Sequence, residues 1–150
     1  MSSSQLEMLT DLAQQARDQA GQTLAQERQS EQQTNAQLEA LTRYRAEYSE
    51  RFQAAMRQGI DPASMYNYQQ FLASLDTALA RARQALGEQH QRVEQSQEHW
   101  RQQQRKLSSY DTLTARRLRE AQQRRSRQEQ KSNDDFVNSR TARRSSETSH

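Results

Sequence analysis

From about residue 65 to residue 121, apolar side chains return every seven positions. One seam of that repeat reads Leu72, Leu79, Leu86, Val93, Trp100 and Leu107. An interleaved seam reads Tyr68, Leu75, Ala82, Gln89, Ser96, Gln103 and Tyr110. A straight α-helix drifts ~20° per heptad, so a sustained seven-residue repeat calls for a left-handed supercoil with a partner helix. No proline and only Gly87 interrupts the stretch. It reads as one long strand of a coiled coil.

The partner strand lies earlier in the chain. Ser4 is expected to cap a helix starting near Gln5, with Glu7 completing a capping box. Leu6, Leu9, Ala13, Ala16 and Ala20 then keep a three- and four-residue spacing. The seam is weak between Gly21 and Ala36, where Leu24 is the one large apolar residue, and recovers at Leu38, Leu41, Tyr44, Tyr48 and Phe52. Gly59 suits the left-handed position after a helix end, Asp61 can cap a new helix, and Pro62 fits its first position, where a missing N–H costs nothing. So short a connection makes the two helices antiparallel neighbours. Each step forward on one helix then meets a step back on the other, so facing residue numbers add to about 120. That sets Leu41 against Leu79, Tyr48 against Leu72, Leu38 against Ala82, Ala20 against Trp100 and Ala13 against Leu107. The small residues of helix one thus meet the bulky ones of helix two, keeping the interhelical spacing even. The turn residues argue against one continuous helix paired with a second chain.

Composition agrees with a narrow seam. Only 31% of residues are apolar and 27% are charged, too few apolar side chains for a compact core. Beyond residue 122 the apolar pattern fades to Phe136, Val137 and Ala142. The expected fold is all-α: a long antiparallel two-helix coiled-coil hairpin over residues 1–130 (helix one about 5–58, turn 59–62, helix two about 62–130), followed by a mobile basic C-terminal tail, 131–150. There are no cysteines to form disulfides or thiolate metal sites. No secretory signal and no apolar run of the ~20 residues that span a bilayer is visible, so a cytosolic protein is expected.

Charge is uneven. Residues 1–100 carry 9 basic and 13 acidic residues, net −4, whereas residues 101–150 carry 13 and 6, net +7. Eleven of the 13 are arginine, whose planar fork suits carboxylates and phosphates. The C-terminal third is expected to seek an acidic partner. Nucleic acid is a weak candidate, because apart from Tyr110 no aromatic side chains interleave with Arg116, Arg117, Arg119, Arg124, Arg125 and Arg127. His90 and His99 lie nine apart, on different sides of a helix, so metal ligation is not expected. No phosphate loop or nucleophile–base set is present, and a two-helix pair offers no closed cleft, so neither a cofactor nor an enzyme is expected. Near the turn, Tyr44, Tyr48, Tyr66, Tyr68 and Phe71 supply more aromatic surface than the seams need, with Phe71, Leu75, Ala78 and Ala82 forming a parallel stripe. Such surplus marks a docking site for another protein, or else closes the end of the hairpin.

These residues resemble a known family. Gln37-Leu38, Leu41, Tyr44 and Tyr48, then Gly59-Ile60, then Asn67-Tyr68-Gln69-Gln70-Phe71, then Trp100-Arg101 with Leu107, are similar to the FliJ family of bacterial flagellar export proteins, over about residues 5–120. The resemblance implies a non-catalytic component of the flagellar type III export apparatus, an antiparallel coiled coil similar to that of the rotary ATPase γ subunit. It implies three partners: the hexameric export ATPase, the cytoplasmic domain of the export-gate membrane protein, and export chaperones. The gate-facing positions it implies are Gln37, Leu41, Tyr44, Tyr48, Phe71, Leu75 and Ala78, and Ala82 stands where a polar rim residue is expected. For the ATPase-inserted end, Leu6, Asp11, Arg116, Arg117 and Arg119 are the expected contacts. The implied location is the cytoplasm, peripheral at the cytoplasmic face of the membrane. Two other readings stay open: an Arg-rich coiled coil that binds nucleic acid, and a chaperone for an amphipathic partner helix.

Overall fold

Helix-favouring Gln, Ala, Glu and Arg dominate both halves of the chain, and the only proline sits at residue 62. In the computed structural model, which describes residues 2–148, this sequence forms two helices, α1 (Ser3–Gln58) and α2 (Pro62–Thr148), packed against each other as a helical hairpin. No strand occurs among the described residues. Met1, Ser149 and His150, which the expected ranges 1–130 and 131–150 take in, lie outside them.

The cap of α1 stands two residues earlier than expected. Ser2 Oγ accepts a hydrogen bond from Gln5 N (3.2 Å), and Ser2 N donates to Gln5 Oε1 (3.1 Å), a reciprocal capping box. Ser4 and Glu7 have the right residue types, but Ser2 and Gln5 do too, and the earlier frame adds to the helix. At the other end Gly59 has φ +89°, and its N–H donates to Met56 O (3.2 Å), closing the last turn of α1. Asp61 caps α2: its Oδ2 accepts from Ser64 N (3.2 Å), its Oδ1 from Ser64 Oγ (2.6 Å), and its carbonyl from Met65 N (3.1 Å). The bonds from Ser64, its hydroxyl first, hold the Asp61 carboxyl below the usual carboxylate range.

The end of helix two near 130 is corrected. α2 runs on to Thr148: no glycine or proline follows Gly87 to break it, and Lys131, Arg140, Ala142, Arg143, Arg144 and Glu147 supply helix propensity among the Ser and Thr of the stretch. All residues from 122 to 148 are exposed, so this length of α2 is helical without packing on α1.

The chain divides into two compact units, Gln14–Gln104 and Met1–Ala13 with Arg105–His150. Within the first, α1 and α2 run antiparallel, and each step forward on α1 meets a step back on α2: Arg17 bonds Gln104, Arg45 bonds Asp76, and Phe52 stacks on Tyr68. Its core is a thin line, with Ala20, Leu24, Leu75, Leu79 and Val93 buried. The second unit buries Leu6, Ala13 and Leu107. On α2 every member of the two heptad seams from Tyr68 to Tyr110 is buried or half-buried, and on α1 the seam residues are likewise, apart from exposed Tyr44.

Candidate docking surfaces

Close to the turn, the first unit packs its aromatic side chains into a zipper. Phe52 stacks on Tyr68 (centroids 5.2 Å, 28°), Tyr68 lies 5.2 Å from Tyr48, and Tyr48 lies 4.4 Å from Phe71. Tyr44 then meets the Phe71 ring at 6.1 Å and 89°, edge to face. Aromatic rings favour such tilted and edge-to-face geometry because the positive ring edge seeks the negative face. The zipper joins the two helices and leaves two of its rings at the surface. Its inner members, Phe52, Tyr68 and Tyr48, are half-buried between the helices, whereas Tyr44 (44% exposed) and Phe71 (37% exposed) present their outer faces to solvent. Tyr66, 60% exposed, stands apart from the zipper.

Of the seven positions implied to face an export gate, Gln37, Tyr44 and Phe71 are exposed, and Leu41, Tyr48 and Ala78 are half-buried. Leu75 is buried at 7% exposure, in the seam of α2. Ala82 is half-buried at the edge of the same stripe. Beside the patch Arg45 grips Asp76 with two bonds, Nε to Oδ1 (2.9 Å) and Nη2 to Oδ2 (3.4 Å). The Arg45 hydrogen bond holds the Asp76 carboxyl below its usual range, with the charges of Arg45 and Arg83 adding to it. An exposed pair of this kind adds little stability but fixes the long Arg45 side chain at the rim of an aromatic surface.

The other unit carries the remaining candidates. Asp11, Arg116 and Arg119 are exposed and Arg117 is half-buried. Leu6 is buried at 3% exposure, part of the seam and not of a free surface. Exposed Leu118 (62%) lies between these arginines in the sequence, an apolar residue that the charge pattern hides.

Three features escape a reading by apolar periodicity alone. The Arg45–Asp76 pair is signalled only by opposite charges at facing register. Gly21 lies against the indole of Trp100, where Ala20 was expected; Ala20 itself is buried. His90 places Nδ1 2.8 Å from Glu31 Oε2 across the pair and Nε2 3.6 Å from Glu94 on its own helix.

This geometry defines a two-helix hairpin protein with exposed side chains on its outer faces. No helix among the described residues is long and apolar enough to cross a membrane. The profile of the family described as "Flagellar FliJ protein" matches residues 1–146. A protein of that name from Salmonella typhi is 34% identical over 132 residues, 88% of this chain and 90% of the relative. The protein so named from Escherichia coli (strain K12) is 33% identical over the same coverage. The chain belongs to the flagellar FliJ family, and with it to flagellar export as the resemblance implied. The match reaches well past residue 122, beyond the span whose residues carry the resemblance.

Proposed function

We propose that this protein is a non-catalytic stalk of the flagellar type III export apparatus. Its Arg116, Arg117 and Arg119 unit inserts into the hexameric export ATPase and promotes its activity, with Asp11 at the same contact and Leu6 holding the helices together beneath it. Its aromatic unit docks on the cytoplasmic domain of the export-gate membrane protein and receives substrate–chaperone complexes, at the cytoplasmic face of the membrane. The observation that supports this most is the pair of outward rings, Tyr44 and Phe71, mounted on a zipper already braced from behind. A preorganised aromatic face of this kind loses little side-chain entropy on binding, which is how hot spots gain affinity.

Around a ring of identical subunits, a rod biases them differently only if its contacts differ around its circumference. An arginine-bearing helix paired with a less basic one has that asymmetry.

The test is co-purification of the full chain with the ATPase and, separately, with the cytoplasmic domain of the gate. Tyr44→Ala with Phe71→Ala is expected to lose the gate and keep the ATPase. Arg116→Glu with Arg119→Glu is expected to do the reverse. Loss of both partners in either variant, or of neither in both, overturns the assignment of surfaces.

A further inference from the structure

The seam of α1 changes character between Leu24 and Leu38. Glu27, Glu31 and Thr34 are the half-buried side chains there, so about two heptads pass with no apolar residue turned inward. Across from them Gln89 is buried at 7% exposure, the one buried polar side chain among the described residues. Its amide donates to the main-chain oxygen of Glu27 (3.0 Å) and to the Glu27 carboxylate (2.5 Å), while its own oxygen accepts from Arg92 Nη1 (3.3 Å). The His90–Glu31 contact follows directly. Alongside opens a groove of about 630 Å³, with Asn35 and Leu38 on one wall and Leu86 and Gly87 on the other. A Cβ built on Gly87 would meet nothing within 4 Å.

Hydrogen bonds and apolar contacts do different work at such a place. A satisfied polar layer in a coiled coil selects register, because any shifted pairing strands the buried amide. It adds less net stability than the apolar layer it replaces, since water competes for the same bonds in the open state. Local opening concentrates where buried apolar contacts are few and polar contacts are within reach of water. Here that place lies inside the pair, with buried Ala20, Leu24 and Val93 on one side and buried Leu75 and Leu79 on the other.

We propose that Glu27–Asn35 of α1 and Arg83–Arg92 of α2 form a polar joint. It holds the register of the hairpin through Gln89, and it is where the two helices part first, between two apolar clamps. The joint is a property of the hairpin whether or not the stalk reading holds. Under that reading it is the compliant section of the stalk.

Hydrogen exchange of the full chain, followed by mass spectrometry, tests this directly. Amides of 27–36 and 83–91 are expected to exchange about tenfold faster, after correction for intrinsic rates, than those of 14–24 and 68–79. Equal or slower exchange at the joint overturns the proposal. Glu27→Leu with Gln89→Leu, which restores the apolar seam, is expected to slow exchange there to the rate of the clamps; an unchanged rate in a folded double variant also overturns it. A second measurement does not depend on that variant. The chain has no cysteine, so spin labels at Asn35→Cys and Arg83→Cys, compared with Thr42→Cys and Thr77→Cys, report each section separately. A broader distance distribution for the first pair supports the joint, and equal widths sink it.

Discussion

Gly21 of α1 and Trp100 of α2 are fitted to each other: a Cβ at Gly21 would lie 3.3 Å from the indole Nε1 and 3.4 Å from Cδ1. The largest side chain of the chain therefore reaches the α1 backbone where α1 has none to oppose it. The position that most weakens this part of α1 by propensity is the one that lets Trp100 into the seam.

Gly21→Leu is expected to destabilise the hairpin by about 1–3 kcal/mol, the usual cost of overfilling a packed site. Gly87→Ala is expected to stabilise it by about 1 kcal/mol, because the glycine sits inside α2 with open space around it. Thermal unfolding followed by circular dichroism separates the two, and equal shifts for both glycines would remove the claim about Trp100.

Acid sensitivity should reside partly at the turn. The folded-state pKa of Asp61 is depressed by Ser64 and that of Asp76 by Arg45. Each carboxylate therefore stabilises the fold fully above the unfolded value of about 3.9, and that stabilisation disappears as pH falls through the lower folded value. Asp61→Asn keeps a capping side chain but no titration, so it should hold most of the neutral-pH stability and lose less below about pH 4. Asp61→Ala should be less stable already at neutral pH. Denaturant midpoints from about pH 7 to about pH 2.5 give the comparison.

Within the aromatic zipper, position predicts consequence. Tyr48 touches Tyr44, Tyr68 and Phe71, so Tyr48→Ala is expected to cost about 2–3 kcal/mol of stability. Tyr44→Ala, at the exposed end, is expected to cost under about 1 kcal/mol while impairing gate binding and motility. A collapse of helicity in Tyr44→Ala would make that ring structural and end the docking argument.

Arginine contacts with an ATPase ring are expected to be sensitive to salt, since the Debye length falls to about 10 Å at 0.1 M. Stimulation of ATP hydrolysis should decline between about 0.05 and 0.3 M salt, and Arg116→Glu with Arg119→Glu should abolish most of it at the low end. Stimulation that ignores both salt and charge reversal would place the ATPase contact elsewhere.

Particular residues show how much is legible in the chain alone. Leu72 to Leu107 and Tyr68 to Tyr110 occupy the inner side of α2, because a seven-residue repeat is itself a statement about which face is inward. Gly59, Asp61 and Pro62 mark the turn through backbone chemistry that few other residues share. The cap at Ser2 is not legible, because two serines offer equivalent frames. Nor is exposure within the patch: Leu75 and Phe71 belong to one stripe, and only packing against α1 buries the first and leaves the second open.

The amino-acid order alone therefore decided helix type, the turn and the apolar seam, since these follow from local propensity and periodicity along one strand. Pairing decided the rest. Trp100 over Gly21, Gln89 held by Glu27, and Tyr44 outward while Tyr48 turns inward all depend on where a second helix sits within a few ångströms. A one-dimensional pattern specifies a face, but the contacts made on that face belong to two strands at once.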